Sequence, residues 1–219
     1  MLRQQAQKIG QRLRRKRIEP LLAMVDDTFR RRGTVRILDL GGLADYWRIV
    51  PENFLETRSV TVTIVNLDHV TVTTDKPGFR FVTGDACALP DLADDSFDIV
   101  HSNSVIEHVG SWDRMVRFAS EVRRLAPCYF VQTPYFWFPV EPHFVTPFFH
   151  WLPRPLRVSL IRRFALGHWQ RHADVGEAVL AADSAVLLDR RMFRYLFPDA
   201  DVRFERVFGV PKSMIAIRC

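Results

Sequence analysis

The chain has 219 residues, 47% hydrophobic and 26% charged, which is the composition of a folded globular protein able to bury a sizeable core. Its formal charge of +6 is uneven: residues 1–32 hold ten Lys or Arg against three Asp or Glu, a local +7, so the rest sums to −1. That excludes a basic nucleic-acid footprint spread over the fold, and no apolar run nears the roughly 18 residues of a membrane span.

Residues 1–33 predict a basic, amphipathic helical segment. Leu2, Ile9, Leu13, Leu21, Val25 and Phe29 recur at helical multiples, and Pro20 is the expected break. Arg12, Arg14, Arg15, Lys16 and Arg17 form a dense positive cluster. A solvated helix face is the plain reading, and peripheral contact with a membrane surface the functional one. No nucleic-acid partner is expected.

From residue 34 onward strands and helices alternate. Val35-Arg36-Ile37-Leu38-Asp39-Leu40-Gly41-Gly42 is a β-branched strand ending in an acidic residue and two glycines. In an open α/β sheet a nucleotide-like ligand sits at such a strand end. Gly41 and Gly42 let backbone approach it, with Asp39 as an acceptor just below. Residues 44–57 read as helical with an interruption at Pro51, and strands follow at 60–65, 79–82 and 97–100. A helix over 111–126 carries Met115, Phe118, Ala119, Val122 and Leu125 on one face, and a fifth strand covers 128–131. An aromatic, proline-rich stretch then breaks the rhythm and reads as a lid insertion over about 134–200, with helices near 154–165 and 187–196. Val202–Phe208 and Ser213–Ile217 close the chain as a hairpin. The fold class is therefore α/β, Rossmann-like: a mainly parallel seven-stranded sheet with helices on both faces and a C-terminal antiparallel hairpin, over residues 34–219.

Three widely spaced cysteines, Cys87, Cys128 and Cys219, argue against a disulfide framework and a Cys-based zinc site. A cytoplasmic location is the default expectation.

In order, these elements resemble the class I S-adenosylmethionine-dependent methyltransferases. Ile37–Gly42 looks like that family's first motif, Gly84-Asp85-Ala86 like its adenine loop, and Ser96–Val100 like its fourth strand. Ser102-Asn103-Ser104-Val105-Ile106-Glu107-His108-Val109 looks like the segment that follows. The resemblance implies S-adenosylmethionine as cofactor, held by Asp39, Gly41, Gly42, Leu43, Asn66, Asp68, Asp85, Ala86 and Asn103. There are departures. Leu43 and Asp45 stand where further glycines are usual, and Asn66 replaces the acidic residue at the end of the second strand, with Asp68 two residues on. They support an alternative, a catalytically silent methyltransferase-like binding subunit. A nicotinamide-dependent oxidoreductase is disfavoured because G-x-G-x-x-G is missing after the first strand.

Methyl transfer to a hydroxyl needs a base, and the candidates are Glu107, His108, Glu141 and His143. Neighbours in a helix point apart, so Glu107 and His108 are not expected to face one cleft squarely. These four have metal-ligand chemistry but no helical His spacing, so no metal is expected. An aromatic lid suggests a small acceptor that is hydrophobic or lipid-linked.

Overall fold

The computed structural model describes residues 2–67, 77–167 and 169–219, with side chains from Lys16 onward. Helix α1 (Leu2–Arg32) leads into β1 (Val35–Leu40), a 3-10 turn (Ala44–Ile49) and α2 (Phe54–Thr57). Strands β2 (Val60–Asn66), β3 (Phe79–Thr83) and β4 (Ile99–Asn103) follow, then a short 3-10 turn (Ile106–His108). Next come α3 (Trp112–Leu125) and β5 (Cys128–Pro134). The insertion contributes β6 (Val140–Glu141), β7 (Thr146–Pro147), α4 (Arg154–Arg163), α5 (Val175–Ala182) and α6 (Arg190–Leu196). The hairpin β8 (Asp201–Val207) and β9 (Val210–Arg218) ends the chain.

The main sheet has seven strands in the order β3-β2-β1-β4-β5-β9-β8. β1 to β5 are parallel, and β9 pairs antiparallel with both β5 and β8. Both faces are covered, so the central strands are almost wholly apolar. Successive residues alternate between two cores. Leu38, Leu40, Val100, Tyr129 and Val131 pack with α3 and α6, whereas Ile37, Val62, Ile64, Ile99 and Phe130 pack with α1 and the Ala44–Ile49 turn.

Helix α3 shows how sequence makes the layer. Its Ser111 cap accepts from the Arg114 N–H, its five apolar residues fall on one face, and Pro127 holds the preceding Ala126 in extended chain, which ends the helix. Full burial of those side chains stabilises by about 1.5–3 kcal/mol for each of the large ones.

Several expectations are corrected. Pro20 does not break α1, which runs through it. An interior proline costs about 3 kcal/mol, but Ile18, Leu21, Met24 and Val25 around it are buried against the sheet and outweigh that cost. β4 starts at Ile99 rather than Phe97, because the Asp98 carboxylate accepts from the Arg36 N–H at 2.7 Å and pairs with Arg32 at 3.0 Å. It also runs on through His101, Ser102 and Asn103, polar residues that find partners inside the fold. The short, Ala-rich α5 escaped the sequence reading; it packs on α4 over a small core of Phe144, Phe149, Ile161, Ala178 and Ala181. Cys128 and Cys219 form a disulfide between adjacent ends of β5 and β9, where Tyr129 registers with Arg218. That pairing across 91 residues was invisible in the spacing, and it removes the argument from cysteine usage for a reducing compartment. Among the described residues, no helix is long and apolar enough to cross a membrane.

α1 runs against the direction of β4. Arg32 meets Asp98 just before β4 begins, and Arg17 meets Asn103 at its C-terminal end. The basic cluster of residues 12–16 therefore lies toward the end of the sheet where the parallel strands finish; the side chains of Arg12, Arg14 and Arg15 are outside the described set.

Candidate active site

At the end of β1 the chain makes a turn that tolerates only glycine. Gly41 has φ +69°, and a Cβ there would lie 2.6 Å from Val105 Cγ1. A Cβ on Gly42 would lie 1.8 Å from Asp39 Oδ2. Asp39 is fully buried and cannot step aside easily. His101 Nδ1 stands 2.7 Å from its Oδ1, and Trp47 Nε1 donates to its Oδ2 at 2.8 Å. It thus braces the turn from beneath. Sequence reasoning missed His101, yet it is the register partner of Asp39 on β4, a polar residue inside a buried strand.

The ends of β2 and β4 meet the same turn. Asn66 Nδ2 donates to the Gly42 carbonyl at 2.6 Å, tying β2 to the glycines. Leu43 is exposed at the start of the Ala44–Ile49 turn. Asn103 Oδ1 accepts from Arg17 of α1 at 2.9 Å. Arg17 also pairs with the nearly buried Glu205 of β8 at 3.0 Å. Beyond β3, Asp85 accepts from the Cys87 N–H, and the Arg114 guanidinium bridges both its oxygens at 3.0 Å. Burial raises the Asp85 pKa, but the Cys87 N–H and Arg114 overcome it, and the carboxyl sits below the usual range. Ala86 is half-buried in the same turn. Asp68 lies outside the described residues.

A second constellation lies past the ends of β4 and β5. Glu107 and His108 sit on the short Ile106–His108 turn, Glu141 on β6 and His143 just after it. His143 Nδ1 stands 2.7 Å from Glu141 Oε1, and its Nε2 stands 3.0 Å from His108 Nε2. His108 Nδ1 is 2.7 Å from the Ser184 carbonyl. Glu107 is fully buried and accepts from Thr133 Oγ1 of β5 at 2.9 Å. One ligand atom each of Glu107, His108 and His143 falls within 4.8 Å of the others. Glu107 and His108 do not face the same way, Glu107 being buried and His108 exposed, yet one ligand atom of each falls in the same cluster.

Their pKa values separate accordingly. Burial pushes Glu107 up to about 7, against the opposing pull of Thr133 and His143. Burial also lowers His108, despite the Ser184 carbonyl. For His143 burial again lowers the value, but the Glu141 carboxylate more than compensates and the net shift is upward.

A cleft of about 280 Å³ is lined by Arg17, Ser104, Gln132, Phe138 and Pro142 among others, with none of Glu107, His108, Glu141 and His143 in its lining. The insertion supplies its apolar side. Glu141 lines a separate cavity of about 150 Å³ with Phe136 and His150.

Residues 42–126 match the family model for a methyltransferase domain. The strand order agrees, since an antiparallel β9 lies between β5 and β8, where a dinucleotide-binding sheet continues in parallel. The chain thus carries a stretch similar to a methyltransferase domain, set in a sheet of the order such domains have. Its fold is similar to a SAM-dependent methyltransferase from Archaeoglobus fulgidus, at 12% identity over 90% of this chain and 93% of that one, with a TM-score of 0.53. It is similar to human N-acetylserotonin methyltransferase in complex with SAM, at 12% identity over 96% of this chain and 52% of that one, TM-score 0.52. It is also similar to a putative Zn-dependent alcohol dehydrogenase from Rhodobacter sphaeroides, at 15% identity over 85% and 84%, TM-score 0.54. At these identities the likeness is one of fold. No curated protein is significantly similar in sequence.

S-adenosylmethionine is the cofactor that this methyltransferase domain calls for, and the glycine turn fits it. The space beside Gly41 and Gly42 is one that a Cβ would have to enter against Val105 or Asp39, so the turn offers bare backbone. Asn66 is hydrogen-bonded to the Gly42 carbonyl of that turn.

Proposed function

We propose that this methyltransferase moves a methyl group from S-adenosylmethionine to a small acceptor, hydrophobic or lipid-linked, held in the cleft past β4 and β5. The observation that supports this is the Glu141–His143–His108 chain, whose His108 ends the short turn that follows Val105, the residue that closes over Gly41.

When bound, S-adenosylmethionine supplies an electrophilic sulfonium methyl group. The chain's task is alignment and proton removal. Gly41 and Gly42 present backbone to the cofactor, and Asn66 with Asn103 fixes the ends of β2 and β4 around it. Both His108 and His143 have Nδ1 committed to acceptors, so in the neutral pair two Nε2 lone pairs face each other. Such a pair takes up one proton readily and shares it. It is therefore the base for an acceptor hydroxyl or amine, and Glu141 stabilises the charge formed on His143.

The acceptor class is read from the insertion. Trp137, Phe148 and Trp151 are 56%, 52% and 39% exposed and touch one another's rings at 5.9 and 5.1 Å. Exposed tryptophans suit a membrane interface, and the basic segment of α1 lies toward the same end of the sheet. We infer peripheral contact with an anionic bilayer that presents the acceptor. Two assays test the reading. Labelled methyl transfer to apolar phenols, amines and lipid-linked acceptors should occur in wild type and collapse in His143→Ala. The full chain should co-sediment with phosphatidylglycerol vesicles, and a chain that stays in the supernatant sinks the membrane part.

A further inference from the structure

We propose that Glu107, His108 and His143 bind one divalent transition-metal ion of the Zn²⁺ class, with a coordination position left open. It rests on the site proposed above and takes the place of the shared proton there, since an ion would occupy both Nε2 lone pairs; the ligand set stands whichever acceptor is methylated.

The argument starts from proton positions. A carbonyl oxygen only accepts, so the 2.7 Å contact to Ser184 places the His108 proton on Nδ1. Glu141 Oε1 takes the Nδ1 proton of His143, while its Oε2 already accepts from the Phe144 N–H. With both rings neutral, two bare Nε2 lone pairs point at each other across 3.0 Å. Nothing but a proton or a cation relieves that arrangement. Two imidazoles on one tetrahedral Zn²⁺ at about 2.0–2.1 Å stand roughly 3.3 Å apart, so the rings need to separate by only a few tenths of an ångström.

The third ligand is an independent observation. Glu107 is fully buried, and Thr133 satisfies Oε2. Oε1 is buried with no hydrogen-bond partner among the described residues. An orphaned carboxylate oxygen costs free energy unless something charged meets it, and a carboxylate oxygen of Glu107 already lies within 4.8 Å of the two imidazole nitrogens.

The surroundings match a built metal site. Ligating histidines usually give their second N–H to a carboxylate or a backbone carbonyl, and here Glu141 and the Ser184 carbonyl take those places. Two imidazoles and one carboxylate select Zn²⁺, Co²⁺, Ni²⁺ or Fe²⁺ over Mg²⁺ and Ca²⁺, which prefer all-oxygen sets. His108 is exposed and His143 half-buried, so an ion has a path in. The site draws on the turn after β4 and the loop after β6, which explains why no local His spacing announced it.

Calorimetry of the full chain with ZnCl₂ at pH 7.5 tests this, with Co²⁺ absorption in the visible as a second readout. One equivalent of Zn²⁺ should bind, with loss of binding in His143→Ala and His108→Gln. Glu107→Gln should weaken it about tenfold or more. Each variant is checked for a cooperative melt, and for S-adenosylmethionine binding, which the proposal leaves intact. No binding in wild type, or equal binding in the two histidine variants, overturns the metal site. Zn²⁺ binding without any S-adenosylmethionine binding would leave the metal standing and remove the functional reading instead.

Discussion

Gly42→Ala isolates the reason for the glycine turn. The new methyl carbon would sit 1.8 Å from Asp39 Oδ2 and 2.2 Å from its Cγ, well inside the 3.4 Å at which ordinary contact begins. Something must move by more than an ångström. If Asp39 moves, it gives up Trp47 and His101, two hydrogen bonds to a charged group worth about 1.5–3 kcal/mol each. If the turn moves, it loses the Asn66 bond to the Gly42 carbonyl, worth about 1 kcal/mol. The cheaper route wins, so the expected stability loss is about 1–3 kcal/mol, with the cofactor cradle displaced. S-adenosylmethionine affinity should drop at least about tenfold, which is 1.4 kcal/mol. Urea unfolding gives the first number and calorimetry the second. Asp39→Ala supplies the decisive control. It orphans Trp47 Nε1 and His101 and is destabilising alone, but it removes the clash. Gly42→Ala should then cost under about 0.5 kcal/mol in the Asp39→Ala background. Additive effects of the two substitutions, within about 0.5 kcal/mol, refute the steric argument.

Other expectations follow from neighbouring geometry. His143→Ala should lower kcat by about 10²–10⁴-fold, the usual span for a general base. Glu141→Gln removes the carboxylate that raises the His143 pKa, so the acid limb of the kcat/KM profile should move to lower pH. Arg17→Ala leaves the nearly buried Glu205 without its cation and should cost about 3 kcal/mol in urea unfolding; a loss under 1 kcal/mol would show that Ser213 alone suffices for Glu205. Asp85 has a depressed pKa in the folded chain, so its ion pair with Arg114 stabilises above the ordinary aspartate range. That contribution fades as pH falls through the lower folded value, and the Tm gap between wild type and Asp85→Asn should narrow on acidification.

The sheet was legible because its signals are local. β-branched runs, the α3 stripe and the terminal hairpin each declare themselves within a dozen residues, and the topology rules then order them. What the chain hid depends on contacts distant in sequence. Pro20 reads as a breaker until the burial of Ile18 and Leu21 is known. Cys128 and Cys219 look unrelated until β5 and β9 pair. Asp39 reads as a ligand for the cofactor, yet its carboxylate turns inward to Trp47 and His101. The four residues Glu107, His108, Glu141 and His143 were visible as chemistry. That the two pairs share one region followed from the strands they succeed, but the contacts that hold them did not, since Ser184 and Thr133 carried no signal of their own.

The most direct test of the account is calorimetric titration of the full chain with S-adenosylmethionine and with its demethylated product. The geometry of the Gly41–Gly42 turn, with Asn66 beside it, calls for one-to-one binding of both at roughly micromolar Kd. A sample that melts cooperatively and binds neither would contradict the assignment of this strand end as a cofactor site.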